Sequence, residues 1–277
     1  MATHTSTRGF TGLLRAMART AWTTPPLLTL RRHRFERYFA SAVGANLFRG
    51  VFHSFAEATR SAPATKPIGY DHPDAAAMYR DRVVRVYPGD YPVLFWLSRF
   101  GAEVTSVLDF GGHVGPSFYA YRKYLAFPPH WRWTVCDVAA VVRAGEALAR
   151  ERGERQLSFT TDLKDGSGAD VFLANGSLQY LEPPLEQLLA AMTVPPRRLI
   201  VNLLPLCEGE GFVTLQNISA SFCPYKIQNR QAFINGVRSA GYELVDEWQN
   251  AEKSCRIHFN EDRSLHFYTG MLFERRV

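Results

Sequence analysis

From residue 104 onward, short runs of β-branched and apolar residues alternate with stretches whose apolar positions recur every three to four residues. Runs of the first kind suit buried strands, and stretches of the second suit amphipathic helices. Strands are therefore predicted at Val104–Phe110, Trp131–Cys136, Gln156–Thr160, Asp170–Ala174 and Arg198–Leu204, and Tyr242–Trp248 and His266–Phe273 close the series. Helices are predicted over Ser117–Leu125, Ala139–Arg152, Pro183–Met192 and Arg230–Ala240. Pro183 lies where a helix start tolerates proline, and Gly241 lies where a helix end favours glycine. Strands alternating with helices make a mostly parallel sheet covered on both faces. The last two strands have no helical pattern between them, which suits an antiparallel terminal strand.

Before residue 104 the pattern is less regular. Leu13, Leu14 and Met17 form a short apolar stripe, and Phe35, Tyr38 and Phe39 form a second one beyond Pro25-Pro26. Apolar stripes of this kind usually face a core. Ala75–Val86 and Tyr91–Phe100 are predicted helices, and the Pro- and Gly-rich Ser61–Pro73 is a predicted loop. Two long irregular stretches, Gly50–Tyr70 and Gly211–Asn229, have the length of lids or binding loops. The expected organisation is a helical appendage or lid over residues 1–100 and an α/β domain over residues 101–277.

Charge separates these two parts. Residues 1–60 carry nine Arg and no Lys against Glu36 and Glu57, a balance of +7 in a chain of net charge +6. The remainder is near neutral, and it holds no Asn-Pro-Pro-Tyr motif, so a nucleic-acid substrate is not expected. The basic leader suits either a solvated face or peripheral contact with an anionic membrane. Its Arg-, Ser- and Thr-rich composition is also that of a transit peptide, although the Arg bias continues beyond it. No apolar run reaches the roughly 18–20 residues of a membrane span. The four cysteines show no CxxC pairing, so neither a disulfide framework nor a metal site is expected, and a cytoplasmic setting fits.

The chemistry concentrates after the first core strand, in Asp109-Phe110-Gly111-Gly112-His113-Val114-Gly115. Glycines let a ligand approach the backbone, and the N–H groups of the following helix favour an anionic group such as a carboxylate or a pyrophosphate. Asp137, ending the second strand, is placed to accept hydrogen bonds from ribose hydroxyls. Asp162 either approaches an adenine amino group or is an exposed loop residue. Asn175-Gly176-Ser177-Leu178-Gln179-Tyr180 follows the fourth strand, where ligands of doubly wound folds bind.

Asp109–Gly115, Asp137, Asp170–Tyr180 and the closing strand pair resemble the class I S-adenosylmethionine-dependent methyltransferases. Phe48–Ala58, Gly69-Tyr70-Asp71, Leu178-Gln179-Tyr180-Leu181 and Val213-Thr214-Leu215-Gln216 resemble more closely a bacterial methyltransferase family associated with surface-polysaccharide and natural-product gene clusters. The resemblance implies a Rossmann-like class I methyltransferase sheet and S-adenosyl-L-methionine as cofactor. It implies O- or N-methylation of a small-molecule or saccharide acceptor in biosynthesis. Asp109, Gly111, Gly112, Gly115, Asp137, Asp162 and Asn175 would then bind the cofactor. His113, Gln179, Tyr180 and His258 are the catalytic shortlist, with His266 as a further histidine and Gln216 and Tyr225 as orienting groups. The competing readings are a nicotinamide-dependent oxidoreductase and a non-catalytic methyltransferase-like binding module. Two departures from the family pattern stand out. His113 replaces the middle glycine of the motif, and Thr160–Ala169 is too short and polar for a crossover helix.

Overall fold

The computed structural model describes residues 25–276, apart from residue 42 and residues 80–82. The stripe at Leu13, Leu14 and Met17 lies outside the described residues. In chain order the elements are α1 (Pro25–Ala40), β1 (Leu47–Phe52), α2 (Phe55–Arg60), α3 (Pro73–Ala77), α4 (Tyr91–Phe100), β2 (Ser106–Phe110), α5 (Pro116–Tyr121), β3 (Arg132–Cys136), α6 (Ala139–Glu151) and β4 (Leu157–Thr160). They continue with β5 (Val171–Asn175), α7 (Leu185–Ala190), β6 (Arg198–Leu204), β7 (Leu206–Cys207), β8 (Phe212–Asn217), β9 (Phe222–Asn229), α8 (Arg230–Ser239), β10 (Tyr242–Asn250), β11 (Ile257–His258) and β12 (Tyr268–Arg275).

Seven strands form the main sheet in the order β10-β12-β6-β5-β2-β3-β4. Strands β4, β3, β2, β5 and β6 are parallel, and β12 enters antiparallel between β6 and β10. The expected Rossmann-like α/β sheet with its antiparallel closing strand is therefore what the chain forms. Period-2 alternation splits each central strand between two cores. Val107, Trp133, Val171 and Leu173 face α4, α5 and α6, while Leu108, Phe172, Ala174 and Leu199 face α7 and α8. Within this sheet the chain starts at β2, runs outward through β3 and β4, and then crosses back to β5. This places the switch point between β2 and β5, and the carboxyl ends of these strands mark the crevice position at which ligands of doubly wound folds bind.

The largest correction concerns the two stretches expected to be irregular. Gly211–Asn229 is an antiparallel hairpin, β8–β9, and the Gly50–Tyr70 stretch begins within β1 and continues into α2. Together with β7 and β11 they form a second sheet of order β11-β1-β8-β9-β7. Its outer face carries Leu215 and Phe222 against Phe39 of α1. Its inner face carries Phe48, Tyr225 and Ile227 against Tyr268 of the main sheet. With both faces covered, these strands lack the apolar-in, polar-out alternation that marks a half-exposed strand, and buried polar positions such as Thr214 and Gln216 disguise them further. The segment before residue 100 is consequently not purely helical, since β1 belongs to this sheet.

Smaller differences have local causes. Helix α5 ends at Tyr121 rather than Leu125, and α3 spans Pro73–Ala77 only. The β4–β5 connection, too polar for a helix, is a single 3-10 turn at Leu163–Gly166.

At the sheet edge, Trp248 of β10 lies across Gly270 of β12, its register partner. A Cβ at Gly270 would stand 2.1 Å from the indole. The indole Nε1 donates to Asn202 Oδ1 at 2.9 Å. Gly270→Ala must displace this ring, so it should lower stability by about 1–3 kcal/mol. The expected signature is a lower urea midpoint with an unchanged m-value; an unchanged midpoint would show that the indole yields without cost.

Candidate active site

The turn after β2 is built from alternating left-handed residues: Gly111 (φ 68°), His113 (φ 53°) and Gly115 (φ 85°). A Cβ at Gly111 would lie 2.3 Å from the Cβ of Ser177, so this glycine is needed where the ends of β2 and β5 meet. Ser177 Oγ donates to Phe110 O across the same junction. Beneath Gly112 sits the carboxylate of Asp109, fully buried. Its Oδ2 accepts from Trp133 Nε1 at 3.1 Å, and its Oδ1 is buried without a partner among the described residues. Burial pushes this carboxyl up to about 7; the Trp133 bond opposes the shift, and Asp137 and Asp90 add to it.

His113 tolerates its left-handed backbone because three contacts hold it. Its N–H donates to Asp137 Oδ2 at 2.9 Å, its Nε2–H donates to Ala75 O at 3.0 Å, and its ring packs on Tyr79 at 4.6 Å. A left-handed non-glycine residue costs about 1–2 kcal/mol, which such bonds can offset. The side chain is thus turned toward α3, and burial lowers the imidazole to about 4. With its ring committed to Ala75 and Tyr79, His113 serves in this arrangement as a lock on the turn.

Asp137 lies directly beside this turn. Gly111 N–H donates to Cys136 O at 2.8 Å, and Val138 N–H donates to Asp137 Oδ1 at 2.7 Å. Burial raises the Asp137 carboxyl; the two backbone N–H bonds oppose it, and nearby Asp71 adds to it. The Gly-rich turn and the second-strand acid are therefore neighbours, as a nucleoside clamp requires.

The other expected residues are distributed unevenly. Asp162 is exposed and caps its 3-10 turn by accepting from Lys164 N at 2.9 Å. Asn175 spends its amide inside a polar network: it donates to Asp90 Oδ1 (3.1 Å) and Tyr121 OH (3.3 Å) and accepts from Asn202 (3.0 Å). Gln179 donates to Gly176 O at 2.7 Å, leaving its Oε1 buried and unpartnered among the described residues. Tyr180 donates to Gln216 Oε1 at 2.8 Å, and its ring meets Tyr70 and Tyr225 edge-on at 5.0 and 5.2 Å. Burial holds the phenols of Tyr70, Tyr180 and Tyr225 far above their ordinary range, so they stay neutral. His258 does not join them. It sits on β11 at the far edge of the second sheet, its ring on Phe35 of α1, and burial with Arg256 depresses it.

Sequence reasoning missed Asp71 and Asp90 as parts of this site. Asp71 Oδ1 accepts from Ala140 N at 2.8 Å in the first turn of α6, holding the segment before α3 across the end of β3. Gly69-Tyr70-Asp71 carried a family signal without a role. Asp90, in Pro88-Gly89-Asp90, carried none, because an acid ahead of an apolar helix has the pattern of a cap.

No family model and no curated protein matches this chain. Solved structures of similar fold include 1,6-didemethyltoxoflavin-N1-methyltransferase of Burkholderia thailandensis, determined with 1,6-didemethyltoxoflavin and S-adenosylhomocysteine bound (18% identity, 74% of this chain and 83% of that one, TM-score 0.48). A SAM-dependent methyltransferase from Methanosarcina mazei is similar over 69% of this chain and 99% of its own (12% identity, TM-score 0.49). Magnesium protoporphyrin IX methyltransferase of Synechocystis PCC 6803, with SAM bound, is similar over 67% and 77% (15% identity, TM-score 0.45).

The two shifted groups of the turn predict opposite pH dependences. Asp109 is raised in the fold, so its contribution is present below about pH 4 and is lost as pH rises toward about 7. His113 is depressed, so its contribution is present above about pH 6.5 and is lost as pH falls toward about 4. Urea midpoints from pH 4 to 8 should show Asp109→Asn removing a downward slope and His113→Asn removing an upward one, each at most about 1.4 kcal/mol per pH unit. Identical slopes in wild type and variants would refute both assignments.

Proposed function

We propose that this chain is an S-adenosylmethionine-dependent methyltransferase that acts on a small-molecule or glycan-type acceptor at oxygen or nitrogen. The observation that carries this reading is the left-handed turn at Gly111–Gly115, clasped to Asp137 at the switch point of the main sheet.

The charges around the turn favour this cofactor over a dinucleotide. Asp71, Asp90, Asp109 and Asp137 surround the crevice, and none of them is in an ion pair among the described residues. The buried unpartnered atoms Asp109 Oδ1 and Gln179 Oε1 are acceptors. Such a set suits a ligand that brings an ammonium, a sulfonium and ribose hydroxyls, and it repels a pyrophosphate. Asp137 would hold the ribose, and the turn's backbone would hold the amino-acid tail. When bound, S-adenosylmethionine supplies an electrophilic methyl group.

The chain's own contribution is to bind, orient and exclude water. The second sheet roofs the crevice with Tyr225 and Gln216 above Tyr180 and Tyr70. These neutral groups would orient an acceptor by hydrogen bonds and aromatic contact, and alignment of this kind supplies much of the acceleration in a displacement reaction. Membership of the surface-polysaccharide and natural-product family and a cytoplasmic location belong to the same reading.

Titration calorimetry should detect S-adenosylmethionine but not NADH, and Asp137→Ala should weaken that binding roughly tenfold or more. Near pH 7, repeating the titration in buffers of different ionisation enthalpy should reveal release of a fraction of one proton as the ligand's positive charge drives Asp109 to ionise. Preference for NADH would favour the oxidoreductase. Tight cofactor binding without transfer of labelled methyl to any acceptor would favour a binding module.

A further inference from the structure

Helix α1 lies on the outer face of the second sheet, away from the crevice, with Phe39 buried and Phe35 packed beside it. Successive helical residues turn by about 100°. On that geometry Leu28, Arg31, Phe35 and Phe39, the half-buried and buried positions before the terminal Ala40, fall along one edge. Opposite them an arc of about 140° brings together His33, Arg37, Leu30, Arg34, Leu27 and Tyr38, all of them exposed. Leu27, Leu30 and Tyr38 expose 43, 52 and 49% of their surface. The arc contains no acidic residue. Glu36, the helix's one acid, lies outside it and pairs with Arg49 of β1. Glu261 and Asp262 follow Phe259, which stacks under Arg31 and Arg32 at the helix's other side.

We propose that this face of α1 docks on an anionic lipid surface, with Leu27, Leu30 and Tyr38 entering the headgroup boundary and Arg34 and Arg37 meeting lipid phosphates. A cluster of arginines on one arc without an acid is attracted to an anionic lipid surface, and the leucines and tyrosine exposed among them can enter its headgroup boundary. Tyrosine is favoured at that boundary, with its ring in the apolar layer and its hydroxyl in the wet one. A nucleic acid would satisfy the arginines but would leave Leu27 and Leu30 in water. Charge complementarity extends along the sequence, since residues 1–24 add Arg8, Arg15 and Arg19 and no acid. Docking by this arc leaves the crevice at the ends of β2 and β5 on the opposite side of the roof, so the proposal stands apart from the methyltransferase reading.

Flotation of the full chain with phosphatidylcholine vesicles, with and without roughly a third phosphatidylglycerol, tests the proposal. The chain should float with the anionic vesicles and not with the neutral ones. Leu27→Asp/Leu30→Asp and Arg34→Glu/Arg37→Glu should each reduce the partition coefficient about tenfold or more. Thermal unfolding and S-adenosylmethionine affinity should stay at wild-type values, because these side chains face solvent. Equal binding to both vesicle types, binding to neither, or anionic binding unchanged in both variants would overturn the proposal. Loss with the arginine pair alone would also overturn it, and would point to an acidic protein partner.

Discussion

The hydrogen bond from the His113 backbone N–H to Asp137 joins the turn after β2 to the end of β3, and the candidate site is organised around that clasp. It fixes the direction in which the turn leaves the sheet and holds a non-glycine residue in left-handed conformation. It also presets the carboxylate that would grip a ribose. The Gly111–Cys136 bond repeats the stitch one strand end deeper, and Ser177 ties the same turn to β5. Three strand ends are thus held together by one backbone–backbone bond and two bonds between a side chain and the backbone.

Unpaired negative charge is the second constraint. Four carboxylates lie at the crevice without cationic partners among the described residues: Asp90 and Asp109 are buried, Asp137 is half-buried and Asp71 is exposed. One is raised to about 7 by burial and by its acidic neighbours, and another is raised as well. An arrangement of this kind is tolerated when a bound cation repays part of the desolvation. Around them Asn175, Asn202, Tyr121, Trp248 and Asn250 share a connected set of hydrogen bonds that anchors the Gly89–Asp90 corner over β5 and β6. Asn175 serves the site by holding that corner in place.

The second sheet is what distinguishes this chain from a bare α/β domain. Its inner face is a layer of neutral polar and aromatic side chains, including the Tyr225–Tyr268 hydroxyl pair that fastens it to the main sheet at 2.8 Å. Its outer face is covered by α1 and α2. Roof and crevice are therefore built by separate parts of the chain that meet at Tyr180, Tyr70 and Gln216.

Much of this was legible from residues alone, and the boundary has a physical cause. The strands of the main sheet, the order of the glycine turn and Asp137, and the closing antiparallel strand follow from local periodicity and spacing, because each depends on residues close together in sequence. His113 stood on a shortlist of proton acceptors and Asp162 was open between an adenine contact and a loop residue, since side-chain type is visible in a sequence and side-chain direction is not. The hairpin β8–β9 looked like a loop because burial on both faces removes the alternation by which a strand is recognised. Which carboxylates gather, which imidazole is turned away, and where His258 finishes depend on contacts between residues tens to more than a hundred positions apart; only the packing of the two sheets decides them.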